Sequence, residues 1–344
     1  MAVVPATQRE VRLLTKPTGL PRPEHFGVVE TPVVPPGEGE VLVRNLFFHL
    51  FFHVFATLRI LIAGATQDTP FPVLDAGDTL VGAAIGEVVE APEGSGLKSG
   101  DLVSHWLGWR EYAVVPEAEC TRLDRTVLPD PVAHLQQGWT AYAALTRGVE
   151  LRPGDTVFVS AGGSGIGSMA GLVARQLGAG RVIASAGSQE KADRLRTELG
   201  YDDVVVRGAG PLAEQLAKAA PDGIDVCFDN VGGEQLRAAV DAARPGARFV
   251  LIGALSGQLA PEGTGTTAPV ELDSLPLIHK RIEMRGFSSD DYDDKDEWTE
   301  RFGAWLRAGE ITFPHVRVKG IENAPRTLLE VIEGRHIGAV VVEL

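Results

Sequence analysis

The sequence contains few cysteines and no C-x-x-C pair. Cys120 and Cys227 are its two cysteines, and no Cys/His cluster stands at the spacing of a zinc site. A disulfide scaffold needs several cysteines, and a structural or catalytic zinc needs three or four protein ligands, so the sequence argues against both. We therefore expect chemistry that uses no metal.

Positive charge and long apolar runs are also scarce. The 344 residues include 32 Lys and Arg against 46 Asp and Glu, a formal net charge of -14. This excess of negative charge opposes binding to nucleic acid or to an anionic membrane surface. No polar-free run reaches the roughly 20 residues of a bilayer span, and no signal-peptide pattern is present. We expect a cytoplasmic protein whose partner is a small-molecule substrate, with no nucleic acid and no membrane.

Glycine is abundant, with 40 residues, and one cluster of glycines marks a nucleotide site. The β-branched, apolar run 156–160 is typical of a buried strand, and a helical pattern of apolar residues follows it. The turn between them consists of Gly162, Gly163, Ser164, Gly165, Ile166 and Gly167. Such a turn lets the backbone approach a pyrophosphate, which the amides and positive dipole of the next helix stabilise. We predict a Rossmann dinucleotide site.

The end of the second predicted strand, 181–185, indicates which dinucleotide binds. An NAD site usually ends this strand in Asp or Glu, whose carboxylate bonds the ribose hydroxyls and repels a 2′-phosphate. Here the tip has no acid, and two cations follow it. We predict NADP(H), although a solvated helix charge is the alternative for Lys191. The predicted contacts at this end are Gly187, Ser188, Lys191 and Arg207.

Two sequence textures predict two domains. Residues 1–130 contain short Val-rich segments separated by Gly and Pro, which is typical of half-buried antiparallel strands. Residues 131–294 alternate strands with helices, which predicts a parallel sheet with crossover helices. The predicted strands of this part lie near 156–160, 181–185, 203–206, 224–228 and 247–252. We expect residues 295–344 to return to the first domain.

Several motifs carry a resemblance to a known family. These motifs are GEGEVLVRNL at 37–46, GDLV at 100–103, GWREY at 108–112, TAY at 140–142, FDNVGG at 228–233 and ENAP at 322–325. Through them the chain resembles the medium-chain dehydrogenase/reductase superfamily, in its zinc-free branch of prostaglandin reductases and alkenal double-bond reductases. The resemblance implies an α/β fold, with a GroES-like β-rich domain and a Rossmann domain with a doubly wound parallel sheet. It also implies a homodimer.

The resemblance implies NADPH-dependent reduction of the C=C bond of an α,β-unsaturated carbonyl, by hydride delivery to the β-carbon. The protein then holds the nicotinamide and the acceptor in register and stabilises the developing enolate. A quinone reductase and a non-catalytic NADPH-binding protein remain open as alternatives. The further cofactor contacts that the resemblance implies are Thr140, Asn230, Gly253, Leu255, Ser256, Phe287, His336 and Gly338.

The chain departs from the family pattern at three single positions. Ser164 stands where the phosphate loop usually has glycine, so we expect the backbone to lie slightly farther from the pyrophosphate. His336 stands where the family has asparagine. At 257–258 the family commonly carries a tyrosine that approaches the substrate, whereas this chain reads Gly-Gln. Since that phenol is absent, Gln258 becomes a catalytic candidate.

The largest departure is the segment 47–59, FFHLFFHVFATLR, which replaces a short Asp-Pro-Tyr-Met-Arg loop of the family. The spacing of its phenylalanines predicts a helix with an aromatic face. Four of them, Phe48, Phe51, Phe52 and Phe55, are candidates to line a pocket for a bulky or aromatic substrate. His49 or His53 could then give a proton to the enolate. The alternative is a locally repacked core whose histidines are hydrogen-bonded or exposed.

Overall fold

The computed structural model describes residues 4–50, 73–262 and 265–344. The chain divides into two compact units. Unit 1 comprises Met1–Leu135, His315–Arg335 and Ala339–Leu344, and unit 2 comprises Gln136–Pro314 and His336–Gly338. No helix in the described part of the chain is both long and apolar enough to cross a membrane.

Strands and helices are numbered here in chain order. The strands are β1 (Thr7–Leu13), β2 (Phe26–Pro32), β3 (Glu40–His49), β4 (Ala84–Glu90), β5 (Leu102–His105), β6 (Tyr112–Pro116), β7 (Thr121–Arg122), β8 (Thr156–Val159), β9 (Arg181–Ala186), β10 (Asp203–Val206), β11 (Ile224–Asp229), β12 (Ala243–Leu251), β13 (Glu283–Gly286), β14 (His315–Lys319) and β15 (Ala339–Glu343). The α-helices are α1 (Gly138–Ala143), α2 (Gly165–Gln176), α3 (Gln189–Leu199), α4 (Leu212–Ala219), α5 (Gly233–Ala242), α6 (Leu255–Gln258), α7 (Ser274–Lys280), α8 (Lys295–Ala308) and α9 (Ala324–Ile332).

Unit 1 is built on β-sheet, as its alternating Val-rich segments predict. Strands β1 and β2 form an antiparallel pair, and a second sheet has the order β14-β15-β3-β4-β5-β7, with β6 also paired to β3. Alternate residues of these strands point inward and make a buried core that includes Val41, Val43, Val88 and Val103. The β-rich N-terminal domain is therefore confirmed.

Unit 2 contains a six-stranded parallel sheet in the order β10-β9-β8-β11-β12-β13. Its central strands are apolar on both faces, and Phe158, Ile183, Cys227 and Phe249 are among its buried core residues. The strand order reverses between β8 and β11, which is the point where doubly wound sheets bind ligands. The predicted Rossmann domain is confirmed.

The unit boundaries differ from the expected domain boundaries of 130 and 295. Residues 131–135 belong to unit 1, and 295–314 belong to unit 2. The second difference is due to α8, because its Trp298 is fully buried and packs against Tyr142 of α1 with ring centroids 5.2 Å apart. The return to unit 1 therefore begins at β14, a strand that the sequence did not predict.

Candidate functional site

The glycine-rich turn joins β8 to α2. Ala161 adopts a left-handed conformation with φ of 51° at the start of the turn, a backbone strain of the kind found at ligand sites. Ser164 is the N-cap of α2, and its Oγ accepts a hydrogen bond from the Gly167 N–H at 3.0 Å. The φ of Ser164 is −74°, so no glycine is needed there. The serine that departs from the family pattern therefore fixes the start of the helix, whose first two residues are Gly165 and Ile166.

Glycines in this turn leave room that a side chain would fill. A Cβ on Gly163 would lie 2.4 Å from Lys191 Cε, and a Cβ on Gly167 would lie 2.2 Å from the Ala161 carbonyl oxygen. The absence of these side chains lets the backbone of the turn pack closely against Lys191 and against the end of β8. A close backbone approach is what a pyrophosphate needs, so the residues fit a dinucleotide.

A buried hydrogen-bond network joins the ends of β8 and β11 at the switch point. Ser160 Oγ donates to Asp229 Oδ1 at 2.6 Å and accepts from the Asn230 N–H at 2.7 Å. The Asn230 side-chain amide donates to the Ser160 carbonyl oxygen at 2.7 Å. Burial raises the pKa of Asp229, and the hydrogen bonds that it accepts partly offset this. Of these three residues, only Asn230 was predicted.

Lys191 lies beside the phosphate loop. Its backbone N–H is 3.2 Å from Oγ of Ser188, the N-cap of α3. Its ammonium group donates to the His336 carbonyl oxygen at 2.6 Å. The Gly338 N–H in turn donates to the Gly163 carbonyl oxygen at 3.1 Å. The structure therefore brings together five predicted residues, and Lys191 is not the fully solvated charge of the alternative interpretation.

The environment of Lys191 changes its acidity. The side chain is half-buried, and desolvation lowers the pKa of its ammonium to about 8, with a smaller contribution from Arg194. A desolvated cation is attracted to an anion more strongly than a solvated one, because less water screens the charge. This position can therefore bind a phosphate group.

Arg207 lies at the same end of the sheet, just after β10. Its backbone N–H donates to the Ala186 carbonyl oxygen at 2.9 Å. A Cβ on Gly187 would lie 3.4 Å from Arg207 Nη2, so the guanidinium lies next to the tip of β9. Two cations, Lys191 and Arg207, therefore lie near the tip of β9, and residues 186–188 at that tip include no carboxylate.

The other predicted cofactor contacts follow the ends of β11, β12 and β13. The N–H of Leu255 donates to the Asn230 carbonyl oxygen at 3.1 Å, and the N–H of Ser256 donates to the Val231 carbonyl oxygen at 2.9 Å. Gly253 is needed at this crossing, since a Cβ there would lie 2.9 Å from the Asn230 carbonyl oxygen. These four predicted positions therefore form one cluster.

Phe287 and Thr140 lie on neighbouring segments of unit 2. The Phe287 N–H donates to the Leu251 carbonyl oxygen at 3.1 Å, and its ring stacks on Tyr292 with centroids 5.4 Å apart. The Thr140 hydroxyl lies 3.0 Å from the hydroxyl of Ser289, which follows Phe287 closely in the chain. Both residues are thus tied to the segment after β13.

Predictions for the acceptor site fall partly on the end of β3. The helix expected from the phenylalanine spacing is wrong over 47–49, where β3 pairs with β15 on one side and β4 on the other. Phe48 is fully buried and packs against Trp109 with ring centroids 5.2 Å apart. Phe48 is therefore a core residue of unit 1 and does not line a pocket. Phe51, Phe52, His53 and Phe55 lie outside the described residues.

His49 and Gln258 are the catalytic candidates that the structure describes. His49 is 4% exposed, and desolvation lowers its pKa to about 3. Its ring is therefore neutral at neutral pH, and giving up a proton would leave an imidazolate, which argues against His49 as the general acid. Gln258 is half-buried in α6, and its amide can donate a hydrogen bond but is no acid.

Some residues of the site were missed by sequence reasoning. Tyr201, which is 4% exposed, reaches the phosphate loop with its hydroxyl, 2.7 Å from the Gly167 carbonyl oxygen. Ser185 of β9 accepts from the Ala161 N–H at 2.8 Å and donates to the side chain of Gln235. A glycine inside a helix, Gly171 of α2, was the available signal for Tyr201. Across the described ranges, no group of three His, Cys, Asp or Glu is arranged to hold a metal ion.

A parallel sheet with a glycine-rich turn, joined in one chain to a β-rich unit, defines a dinucleotide-dependent oxidoreductase of two units. Comparison with known proteins agrees. A family model described as zinc-binding dehydrogenase matches residues 165–306, and one described as N-terminal domain of oxidoreductase matches residues 9–123.

Individual relatives match over almost the whole chain. An NADPH-dependent curcumin reductase of Escherichia coli is 32% identical over 96% of this chain and 95% of its own length. An NADP(+)-dependent 2-alkenal reductase of Nicotiana tabacum is 29% identical over 98% of this chain and 97% of its own. The crystal structure of CurA from Vibrio vulnificus in complex with NADPH has a TM-score of 0.84 at 30% identity, over 97% of this chain and 98% of that one. The chain belongs to the medium-chain dehydrogenase/reductase family, in its zinc-free branch, as its motifs predicted.

Proposed function

We propose that this protein is an NADPH-dependent reductase that reduces the C=C bond of an α,β-unsaturated carbonyl. The observation that carries the proposal is the position of Lys191, whose Cε packs against Gly163 of the phosphate loop. No acid ends β9 at the place where an NAD site has one. A cation beside the loop and no carboxylate at the strand tip favour a cofactor with a 2′-phosphate.

Each part of the cofactor has proposed partners in unit 2. The turn Gly162–Gly167 and the N-terminal end of α2 bind the pyrophosphate, and Ser188, Lys191 and Arg207 bind the 2′-phosphate. The rest of the dinucleotide lies against Thr140, Asn230, Gly253, Leu255, Ser256, Phe287, His336 and Gly338. The buried bonds between Ser160, Asp229 and Asn230 support this assignment, because they hold the strand ends of the switch point in place.

NADPH, when bound, supplies the hydride that the β-carbon of the acceptor receives. The chain holds the acceptor in place and stabilises the charge that develops on its carbonyl oxygen. We propose that the side-chain amide of Gln258, which stands where the family has a tyrosine, donates a hydrogen bond to this carbonyl oxygen. Neither His49 nor Gln258 is an acid at neutral pH, so we assign the proton for the α-carbon to solvent. His53, outside the described residues, stays the alternative donor.

Product analysis tests the proposal. The purified protein is given NADPH or NADH with an enone or a quinone, and the products are identified by mass spectrometry. We expect a saturated ketone as the product. NADPH should bind at least about tenfold more tightly than NADH, because two charge-assisted contacts to the 2′-phosphate should contribute more than about 1.4 kcal/mol of binding free energy. A hydroquinone as the sole product supports the quinone reductase alternative. NADPH binding without turnover of any acceptor supports the non-catalytic alternative.

We also propose a homodimer and a cytoplasmic location, both on the strength of the family resemblance. Light scattering at micromolar concentration tests the first, and a monomeric mass contradicts it. Fractionation of cells that express the protein tests the second.

A further inference from the structure

Tyr201 lies in the interior of unit 2, directly beneath the phosphate loop. It follows Gly200, the left-handed C-cap of α3. Its hydroxyl group is 2.7 Å from the Gly167 carbonyl oxygen and 3.2 Å from the Gly162 carbonyl oxygen. One phenol therefore contacts two carbonyls of the turn that we assign to the pyrophosphate. The hydroxyl has a single hydrogen, and the shorter distance assigns it mainly to Gly167.

Two glycines make room for this phenol. A Cβ on Gly171 would lie 2.3 Å from the Tyr201 hydroxyl oxygen, and a Cβ on Gly162 would lie 3.1 Å from it. Gly171 is inside α2, where glycine is less favourable than alanine, so its presence calls for a packing reason. Tyr201 supplies that reason, since any side chain at Gly171 would displace the phenol.

The contacts have an electrostatic consequence for the loop. Carbonyl oxygens repel an anion, whereas backbone N–H groups attract it. A hydroxyl within hydrogen-bond distance of the Gly162 and Gly167 carbonyls offsets part of their negative charge beneath the loop. Burial raises the pKa of the phenol, so the hydroxyl keeps its hydrogen and remains a donor at neutral pH.

We propose that Tyr201 is a positioning residue for the pyrophosphate of the dinucleotide, acting through the carbonyls of Gly162 and Gly167. This inference rests on the proposed NADP(H) site. It assigns Tyr201 a role in binding the pyrophosphate, and no role in binding the 2′-phosphate or in hydride transfer. The free energy of the contact should therefore appear in the affinity for ligands that contain a pyrophosphate.

The direct test is Tyr201→Phe, which removes the hydroxyl and keeps the ring. Two ligands are titrated, NADPH and adenosine 2′-monophosphate, which has the 2′-phosphate and no pyrophosphate. We expect the dissociation constant of NADPH to rise about three- to tenfold, as for the loss of one buried hydrogen bond. The constant of the adenosine phosphate should change by less than about twofold. The Michaelis constant for NADPH should rise while kcat at saturating NADPH is kept.

Tyr142→Phe is the matched control. Tyr142 is also buried, but its hydroxyl lies 3.4 Å from Glu297 Oε1 and not at the phosphate loop. We expect this variant to keep its affinity for NADPH. An equal loss of affinity in both variants would show that any buried hydroxyl matters, and would overturn the role of Tyr201.

A second variant tests the packing. Gly171→Ala should displace the phenol and weaken NADPH binding at least as much as Tyr201→Phe. Adding Tyr201→Leu removes the clash, so the double variant should melt at a higher temperature than Gly171→Ala alone. No such recovery would contradict the packing argument.

The inference and the proposed function fail in different ways. Unchanged NADPH affinity in Tyr201→Phe, or an equal loss for both ligands, overturns the inference and leaves the proposed function intact. Wild-type protein that binds NADPH no better than NADH refutes the proposed cofactor preference, and the role of Tyr201 is then tested with NADH. Wild-type protein that binds neither dinucleotide refutes the proposed site, and the inference falls with it.

Discussion

Because the pKa of Lys191 is lowered to about 8, the affinity for NADPH should depend on pH. Between about pH 7 and about pH 9, the protonated fraction of Lys191 in the free protein falls from about nine-tenths to about one-tenth. The charged form binds a phosphate, and a bound phosphate keeps the proton on the lysine. The dissociation constant of NADPH should therefore rise about tenfold over this interval.

Fluorescence titration of NADPH across this pH range measures the effect, and NADH is the internal control because it lacks the 2′-phosphate. Lys191→Arg keeps its charge at every pH in the range, so its NADPH affinity should be nearly constant. Lys191→Ala should bind NADPH weakly at all these pH values. A change of less than about twofold for the wild type, or an equal loss for NADH, would refute the reasoning.

Four other predictions concern metal, the core, the acceptor pocket and the helix cap. Exhaustive chelation should leave turnover unchanged, and loss of activity together with stoichiometric zinc in the untreated protein would contradict this. Phe48→Ala should lower the free energy of unfolding by about 3–5 kcal/mol, measured by denaturant titration, because the ring is fully buried. Phe52→Ala, outside the described residues, should instead raise the Michaelis constant for a bulky aromatic enone and leave that for a small enal little changed. A lower melting temperature without this change in selectivity would support the core alternative. Ser164→Ala should lower the free energy of unfolding by about 1 kcal/mol and weaken the binding of NADPH. An unchanged melting temperature would show that the helix cap is dispensable.

The nucleotide unit could be predicted from sequence because its signals are local. Strand, glycine turn and helix follow one another within 156–176, and each pattern has its own period. The preference for NADP(H) could be predicted for the same reason, because the sequence shows that no acid stands at the end of β9. Strand β13 was missed because its four residues, Glu283–Gly286, include two charges and no apolar alternation.

Distant packing explains what the sequence did not indicate. The position of α8 depends on Trp298 meeting Tyr142, more than a hundred residues away in the chain. The strand conformation at Phe48 depends on pairing with Val342 of β15, whereas the spacing of neighbouring phenylalanines indicated a helix. Tyr201 reaches carbonyls more than thirty residues earlier, and its own sequence neighbourhood is that of an ordinary turn.

The pairing of β3 with β15 has a consequence for how the protein is made. All six strands of the parallel sheet lie between residues 156 and 286, so a ribosome exposes them before it reaches β15 at Ala339–Glu343. Until that strand emerges, one edge of β3 lacks its partner, and open strand edges favour wrong associations between chains. We therefore expect the nucleotide unit to fold first during translation, and the nascent β-rich unit to be the part that depends on chaperones.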